Sequence, residues 1–496
     1  MPGAAAGSRP NILHIQSDQQ QWATVAERSE CRTPNLNRLA REGMLFERSY
    51  TASAVCCPSR AITLSGAYHW HNGVYNQIHS APSVKRDLNR DTVLYSQRLK
   101  DAGYRLGYVG KWHCSWVRTP ADFGFESLAN VFGCDPRVLA RLDLNPDRVE
   151  RPPATRSTAV RNFTWPGGDT FAMWGWSEGA EQQTPEAYST ECAIRMMRRF
   201  AGRPEPWHME VQYVQPHDPY MPLKNYLERY EARSIAVARS FQDTFQNKPG
   251  LHRRESMTWG KITEDDFRNS RAYYYAQVEQ LDAQIGRLLR ALDETGQADN
   301  TLVVFTTDHG DMVGAHRMWI KGWIPYEECY RIPLIVRWPG RVRAGARSRA
   351  LVGLQDLAHT YVEAGGAQPM PYPDGRSLVP LFEDPNAAGW RDSLLCAYYG
   401  GEFLYTQRIA ITDRFKYVFN GFDWDEMYDL ERDPDEMENI AYSDAHKTEA
   451  DDMRARLWEM MERFEDPYRD GRRAVGNEPA PDRYGAARYL LRGKRS

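Results

Sequence analysis

The sequence contains short apolar runs separated by longer amphipathic patterns, and this alternation constrains the fold more than any other feature. The clearest apolar run is T-L-V-V-F-T-T at Thr301–Thr307, and a helical pattern from about Glu264 to Leu292 precedes it. Buried strands that alternate with amphipathic helices are typical of α/β proteins. We therefore predict an α/β fold with a large mixed, mostly parallel sheet flanked by helices.

Four of the apolar runs lead directly into ionisable residues. In open α/β sheets, ligands bind beyond the carboxyl ends of the strands. A polar residue at one strand end is common, but four ends with complementary chemistry indicate a functional site on one rim of the sheet. The runs are Asn11–Gln16 before Asp18, Arg105–Val109 before Lys111 and His113, Met209–Gln215 before His217, and Thr301–Thr307 before Asp308 and His309.

The polar stretch Glu383–Arg391 marks a change in composition. Beyond it, three strand-like runs and a helical pattern from about His446 to Phe464 predict a small antiparallel sheet with one helix. We predict a catalytic domain at 9–385, a C-terminal α+β subdomain at 386–468 and an Arg-rich arm at 469–496. The arm is expected to be loosely ordered; the alternative is that it packs on a neighbouring subunit of a homo-oligomer. The three runs are Leu394–Tyr399, Arg408–Thr412 and Phe415–Phe419.

Composition limits the partners and the compartment. The 496 residues carry a formal net charge of −3, which gives no reason to expect nucleic acid or an anionic membrane as a partner. The eight cysteines are scattered and form no C-x-x-C pair, so neither a disulfide scaffold nor a zinc motif is indicated. The first residues lack a basic n-region and an apolar h-region, so we expect no signal peptide, and no apolar run is long enough to span a bilayer. We expect a cytoplasmic protein.

Two adjacent cysteines open a predicted helix in the segment A-V-C-C-P-S-R. Pro58 suits the first turn of a helix, so Cys56 lies at the positive end of the helix dipole, and Arg60 follows one turn later. Both features stabilise an anion and lower the pKa of a thiol. A buried cysteine at a helix start is the simpler alternative.

The longer pattern C-x-P-S-R-x-x-x-L-[ST]-G at Cys56–Gly66 resembles the signature of the type I sulfatases, in the alkaline-phosphatase superfamily. Further motifs occur in the order found in that family, so the resemblance covers most of the chain and implies an alkaline-phosphatase-like fold. They are S-D-Q-Q at Ser17–Gln20, T-P-N-L-N-R-L at Thr33–Leu39, G-K-W-H at Gly110–His113, P-H-D-P at Pro216–Pro219, T-D-H-G-D at Thr307–Asp311, I-K-G at Ile320–Gly322 and M-Y-D-L-E-R-D-P at Met427–Pro434.

The resemblance implies that Cys56 is oxidised to formylglycine by a formylglycine-generating enzyme. Cys56 has proline at +2 and arginine at +4, whereas Cys57 occupies a variable position. The resemblance also implies a divalent-metal site, with Ca²⁺ as the expected ion and Mg²⁺ or Mn²⁺ as alternatives. The family often has aspartate in place of Gln19 and asparagine in place of His309. The implied ligands are Asp18, Gln19, Asp308, His309 and the modified Cys56.

The same resemblance implies catalytic roles for the cationic residues. His113 would be the base that releases sulfate, and Lys321 and His217 would protonate the leaving oxygen. Arg60 would hold the hydrated aldehyde, and Lys111 would add positive charge near the tetrahedral oxyanion. The implied reaction hydrolyses a carbohydrate or aryl sulfate monoester to an alcohol and inorganic sulfate.

Two other functions remain open at this point. A phosphonate monoester or phosphodiester hydrolase would use the same scaffold and nucleophile, although the Lys111-x-His113 pair favours a sulfatase. A non-catalytic binder of sulfated glycans would keep Cys56 unmodified, and the presence of every implied catalytic residue argues against it.

Substrate selectivity is expected in loops outside the shared core. The aromatic stretch Thr164–Trp176 could offer Trp174 and Trp176 as a platform for a sugar or an aryl group. The alternative is a loop whose aromatic rings pack on the domain. His316 could line the same pocket, or it could stabilise the loop after Asp308.

Overall fold

The computed structural model describes residues 9–80, 83–142, 150–151, 153–164, 168–321, 323–401, 404–421 and 423–470. They form a large sheet, a smaller sheet and a two-stranded hairpin, with helices around them. The strands are β1 (Asn11–Ser17), β2 (Met44–Tyr50), β3 (Arg105–Lys111), β4 (Ser127–Phe132), β5 (Arg156–Thr164), β6 (Thr170–Glu178), β7 (Trp207–Gln212), β8 (Thr301–Thr307), β9 (Arg331–Arg337), β10 (Ala346–Ser348), β11 (Val352–Gly353), β12 (Leu394–Tyr398), β13 (Gln407–Ile411), β14 (Phe415–Asn420) and β15 (Glu426–Asp429). The helices are α1 (Pro34–Glu42), α2 (Cys56–Ser65), α3 (His69–Asn72), α4 (Tyr95–Asp101), α5 (Pro136–Leu139), α6 (Pro185–Ala201), α7 (Lys224–Leu227), α8 (Gly250–Thr258), α9 (Glu264–Glu294), α10 (Glu327–Tyr330), α11 (Gln355–Ala364), α12 (Val379–Glu383) and α13 (Lys447–Arg463).

The large sheet has the strand order β10-β2-β9-β8-β1-β7-β3-β4, and β11 also pairs with β2. β9 runs antiparallel to its neighbours β2 and β8, and the other pairings are parallel. The predicted α/β fold with a mixed, mostly parallel sheet is therefore confirmed. β1 and β8 lie near the middle, and every residue of both strands is buried.

Helices cover both faces of the large sheet, so its central strands need apolar side chains on both sides. On one face, Leu13 of β1 and Phe305 of β8 pack with residues of α6 and α9. On the other face, Ile12 and Val304 pack with residues of α4 and α11. This two-sided burial explains why β1 and β8 appear in the sequence as nearly continuous apolar runs.

The smaller sheet is antiparallel, with the order β12-β13-β14-β15, and α13 packs on it. It confirms the predicted small antiparallel sheet with one helix. β5 and β6 form a separate hairpin, in which β5 is exposed along almost all of its length. Residues 471–496, which include most of the predicted Arg-rich arm, lie outside the described residues.

Two strands that lead to the rim end differently from the sequence expectation. β3 continues to Lys111, whereas β7 ends at Gln212. Tyr213 still donates its backbone N–H to the carbonyl of Gln16 on β1. Pro216 has no N–H to continue the ladder, so the chain turns along the rim and carries His217 with it. None of the described helices is long and apolar enough to cross a membrane.

Candidate active site

The carboxyl ends of the central strands meet at one rim, and the predicted side chains converge there. Asp18 follows β1, and Asp308 and His309 follow the neighbouring strand β8. Together with Cys56, they offer four ligand atoms that all lie within 4.8 Å of one another. All four residues are buried. The sheet order β8-β1 therefore produces the cluster that the strand ends predict.

Cys56 is the first residue of α2 and is only 1 % exposed. Its Sγ lies 3.2 Å from His309 Nε2 and 3.8 Å from Asp18 Oδ1. Burial alone would raise the pKa of this thiol, but the charges of Lys111 and Lys321 hold it well below its usual range. The positively charged side chains of the rim are thus placed to stabilise an anion at position 56.

Arg60 connects α2 to both carboxylates of the rim. Its Nε donates to Asp308 Oδ2 at 2.9 Å, and a terminal nitrogen donates to Asp18 Oδ2 at 3.0 Å. The other terminal nitrogen donates to Gln212 Oε1 at 2.7 Å. Burial opposes the charge of this guanidinium, but the two carboxylates raise its pKa above the usual range. Arg60 therefore fixes one oxygen of each aspartate, and the other oxygens face the cluster.

The remaining donor atoms suit a divalent cation. Asp308 Oδ1 accepts the backbone N–H groups of Gln19 at 3.1 Å and of His309 at 3.0 Å. His309 Nδ1 donates to the carbonyl of Gly310 at 2.8 Å, which leaves Nε2 free to bind a metal. Against the effect of burial, the charges of Asp308 and Cys56 raise the pKa of His309 to about 9. The negative charges of Asp308 and Cys56 thus favour a positively charged group at this position.

The glycine of the T-D-H-G-D motif is required by a close approach of the backbone. A Cβ atom at Gly310 would lie 1.9 Å from the carbonyl oxygen of Glu328. Gly310 instead donates its N–H to the carbonyl of Cys329 at 2.8 Å. This contact holds the loop that follows His309 against α10.

Gln19 lies at the rim, but its amide contacts other side chains than those of the cluster. Oε1 accepts a hydrogen bond from Lys321 Nζ at 2.9 Å. Nε2 donates to Asp218 Oδ1 at 3.0 Å and to Asp311 Oδ2 at 2.6 Å. Its backbone is left-handed, with φ of 68°. The structure therefore shows Gln19 as a bridge between Lys321 and two carboxylates, and its role as a metal ligand stays a prediction.

The predicted cationic residues form two pairs around Cys56. In the first pair, Lys111 Nζ donates to Asp18 Oδ2, and burial with the charge of Lys111 lowers the pKa of His113 to about 3. In the second pair, Lys321 Nζ lies 3.0 Å from His217 Nε2. His217 Nδ1 lies 2.7 Å from the carbonyl of Asp218. At neutral pH the first pair thus combines a charged lysine with a neutral imidazole.

With this geometry established, comparison with known proteins identifies the chain. A family model described as Sulfatase matches residues 10–367. The chain belongs to the sulfatase family. A second model, described as N-sulphoglucosamine sulphohydrolase, C-terminal, matches residues 314–463. The resemblance inferred from the motifs is confirmed, and this sulfatase is a sulfuric ester hydrolase.

Similarity to individual proteins extends over almost the whole chain. It is 28% identical to the uncharacterized sulfatase YidJ of Escherichia coli, over 93% of this chain and 89% of the relative. It is 27% identical to an arylsulfatase of Clostridium perfringens, over 95% of this chain and 98% of the relative. The phosphonate monoester hydrolase of Agrobacterium radiobacter has the same fold, with a TM-score of 0.73, 21% identity, and coverage of 92% of this chain and 96% of that one.

Several residues of the site were not singled out from the sequence. Asp218 and Asp311 lie inside recognised motifs, and their contacts with Gln19 bring them to the rim. Gln77 and His79 lie outside every motif. Gln77 Nε2 lies 3.9 Å from Cys56 Sγ, and His79 Nδ1 lies 2.8 Å from His113 Nε2. No periodic pattern or signature marks these two residues, so the sequence offered no signal for them.

The three residues suggested for a substrate pocket lie in packed surroundings. His316 is fully buried, with Nδ1 2.7 Å from Asp243 Oδ2 and its ring stacked 3.7 Å from Tyr326. This position matches the loop-stabilising alternative. Trp174 is buried in β6 with its ring 5.7 Å from Trp319, and Trp176 is half-buried. Residues 165–167 of the aromatic stretch lie outside the described residues.

Proposed function

We propose that this sulfatase hydrolyses a carbohydrate or aryl sulfate monoester, using a formylglycine derived from Cys56 and a bound divalent cation, Ca²⁺. The observation that carries the proposal is the surroundings of position 56. One side presents two carboxylates and His309, which would hold the cation. The other presents the charged side chains that hold the pKa of Cys56 well below its usual range. An anionic nucleophile and an anionic sulfate group both require such surroundings.

The difference between the two adjacent cysteines supports modification of Cys56. Cys56 Sγ, which stands in for the oxygens of a formylglycine hydrate, faces His309 and Asp18. Cys57 Sγ points elsewhere and donates to Gln77 Oε1 at 2.8 Å. Burial and the neighbouring Cys56 raise the pKa of Cys57 well above its usual range. A nucleophile at position 57 would lack the cationic surroundings.

The residues present fit a divalent cation. Asp18 Oδ1, an oxygen of Asp308, His309 Nε2 and the modified residue 56 would bind it, and predominantly oxygen ligands favour Ca²⁺. The nitrogen of His309 makes Mn²⁺ the main competitor, with Mg²⁺ less suited. When bound, the cation supplies Lewis-acid polarisation of a sulfate oxygen and of the nucleophile.

The protein's own groups then hold and transfer the protons. His113 lies beside Cys56, and its buried Nδ1 has no hydrogen-bond partner among the described residues. Its Nε2 faces His79, so Nδ1 is the atom that would accept a proton from position 56. Lys321, whose pKa is raised above its usual range by Cys56 and Asp218 against the effect of burial, would deliver a proton to the departing alcohol oxygen. Arg60 and Lys111 would keep the charge at residue 56 and at the sulfate compensated.

A phosphonate monoester hydrolase is the alternative because a member of that class shares the fold. A likeness at 21% identity shows the fold alone. The buried Lys111 and the neutral His113 beside Cys56 favour the sulfatase reaction, because they place a compact charge and a base at the nucleophile.

The test combines mass spectrometry with a substrate panel on an active preparation. Peptide mass spectra should show an aldehyde or its hydrate at position 56 and a thiol at position 57. Cys56→Ala should lower the hydrolysis rate by on the order of 10⁴–10⁶, and the matched Cys57→Ala variant should retain it. Released sulfate is measured for aryl and sugar sulfates beside matched phosphonates. A thiol at position 56 in active protein, or a preference for phosphonates by orders of magnitude, would refute the proposal.

A further inference from the structure

A second group of metal-binding side chains lies directly beside the active site. One ligand atom each from Cys57, His79 and His113 lies within 4.8 Å of the other two. The rings of His79 and His113 are nearly parallel, at 20°, with centroids 4.8 Å apart. Their facing nitrogens, His79 Nδ1 and His113 Nε2, are 2.8 Å apart. The residues come from α2, from the segment after α3 and from the segment directly after β3, so no sequence spacing reveals them.

We propose that Cys57, His79 and His113 form an inhibitory Zn²⁺ site, separate from the cation site of Asp18 and Asp308. One thiolate and two imidazoles are ligands that Zn²⁺ prefers, whereas Ca²⁺ prefers oxygen. Zn–N and Zn–S bonds of about 2.0 and 2.3 Å require ligand atoms roughly 3.3–3.6 Å apart in a tetrahedron. The two nitrogens, 2.8 Å apart, are about 0.5 Å closer than a tetrahedral zinc ion requires, so the rings must move slightly apart, and all three ligand atoms already lie within 4.8 Å of one another.

The two sites diverge because adjacent side chains at the start of α2 point in different directions. Cys56 Sγ faces His309 at 3.2 Å, and Cys57 Sγ faces Gln77 Oε1 at 2.8 Å. Three protein ligands leave a fourth position for water or for Gln77 Oε1. Cys57 and His113 are buried, whereas His79 is exposed, so His79 offers the entrance from solvent.

Zinc at this site would block the base, a consequence that rests on the proposed function. A metal bound to His113 Nε2 moves the remaining ring proton to Nδ1, the nitrogen assigned to accept a proton from position 56. When zinc binds, the Cys57 thiol releases its proton to solvent. The proton shared between His79 and His113 is not released and remains on one of the two imidazole rings. Binding thus releases one proton and leaves His113 unable to accept another.

Zinc binding can be tested without any catalytic activity. In the full-length Cys56→Ala protein, Zn²⁺ is added and the affinity is measured by equilibrium dialysis, with X-ray absorption at the zinc edge reporting the ligands. We expect one sulfur and two imidazole nitrogens. Adding Cys57→Ser should remove the sulfur signal and weaken binding by at least about tenfold, and adding Cys114→Ser, a nearby buried thiol, should change neither. Zinc bound without sulfur, or unchanged affinity after Cys57→Ser, would overturn the site.

Inhibition is tested on active protein whose modification has been verified. Zn²⁺ should inhibit hydrolysis of an aryl sulfate, and a chelator that spares Ca²⁺ should restore it. Cys57→Ala should keep the basal rate and shift the inhibitory Zn²⁺ concentration upward by at least about tenfold, and His79→Gln should shift it in the same direction. Circular dichroism checks that both variants are folded. If Zn²⁺ inhibits the wild type and both variants equally, zinc acts at the Asp18 site and the inhibitory role is refuted. If the modified wild-type protein hydrolyses no sulfate ester at all, only the proposed function is refuted.

Discussion

Two buried charged clusters in the described part of the chain differ in how their side chains are paired: the ligand atoms of the first face a common point, and the charges of the second face one another. In the active site, the ligand atoms of Asp18, Cys56, Asp308 and His309 converge within 4.8 Å. The second cluster, which we call the junction cluster, links the loop after β8 to the small sheet; it contains Asp243, Lys248, His252, His316, Glu327, Lys416, Glu426 and Glu436.

The junction cluster pairs its charges with one another. Lys416 Nζ lies 2.5 Å from Glu436 Oε1 and 3.2 Å from Glu327 Oε1. Lys248 Nζ lies 2.5 Å from Asp243 Oδ2, and His252 Nε2 lies 2.9 Å from Glu426 Oε2. pKa values are displaced here as strongly as at the rim, since burial raises the pKa of Glu436 to about 8. Burial and displaced pKa values therefore do not identify a catalytic site by themselves. A catalytic site is identified by donor atoms that face a common point and are not already paired with one another.

Among the variants that compare the two clusters, the largest effect is expected where the convergence is broken. Asp308→Asn keeps the size of the side chain but removes a negative charge that serves both the cation site and the ion pair with Arg60. We expect a metal-poor protein whose kcat/KM falls by on the order of 10³. Metal content is measured by elemental analysis beside the sulfatase assay. Full metal content with full activity would show that the convergence has no functional role.

A smaller effect, selective for the substrate, is expected at Lys321. Lys321→Ala should lower kcat/KM by on the order of 10²–10³ for sulfate esters with poor leaving groups and much less for activated aryl sulfates. The measurement is kcat/KM against leaving-group pKa, for wild type and variant. A loss that is uniform across the series would mean that Lys321 binds the substrate and does not assist departure of the alcohol.

The junction cluster should respond in stability and not in chemistry. Lys416→Met removes the cation between Glu436 and Glu327, and two carboxylates then remain buried side by side. We expect the free energy of unfolding to fall by about 3–5 kcal/mol. Denaturant unfolding measures the stability of Lys416→Met. The value of kcat/KM is also measured against leaving-group pKa for this variant, as for Lys321→Ala. A slope that differs from that of the wild type would remove the distinction between the two clusters.

The smallest expected effect is at His316, which the sequence left between two roles. His316→Gln loses the hydrogen bond to Asp243 and the stack on Tyr326, which should cost about 1–3 kcal/mol of stability. The value of kcat/KM should stay within a few-fold of wild type. Steady-state kinetics on sugar and aryl sulfates, with thermal unfolding, separates the outcomes. A large rise in KM for one substrate class alone would assign His316 to the substrate pocket.

The fold could be predicted where a strand is apolar on both faces, and it could not where tertiary partners supply the stability. β8 has the predicted bounds, and α9 begins where the sequence indicated. β2 escaped prediction because Glu47 and Arg48 interrupt its apolar pattern; Arg48 is stabilised by the carbonyls of Thr412 and Asp413. β9 contains Pro333, which is uncommon inside a sheet.

The same contrast applies to the site. Asp18, Lys111 and Asp308 could be located because each lies at the end of a predicted strand. His79 lies in an irregular segment whose position depends on contacts with distant parts of the chain, such as its hydrogen bond to His113. The packing of His316 against Asp243 depends on a contact between residues 73 positions apart, which no local pattern encodes.

The strand order has a consequence for the time course of folding. β1 lies between β7 and β8, and Ser17 donates to the carbonyl of Thr306, 289 positions later in the chain. Each such pairing first costs the conformational entropy of closing a long loop, and only then do the two strands gain stabilising contacts. Pairing of this kind is therefore slow. A chain with its middle or its last third still unfolded therefore has no active site at all. Until β8 pairs with β1, Cys56 lacks Asp308 and His309, two of the residues that enclose it, so the rate of this pairing sets how long Cys56 stays accessible from solvent.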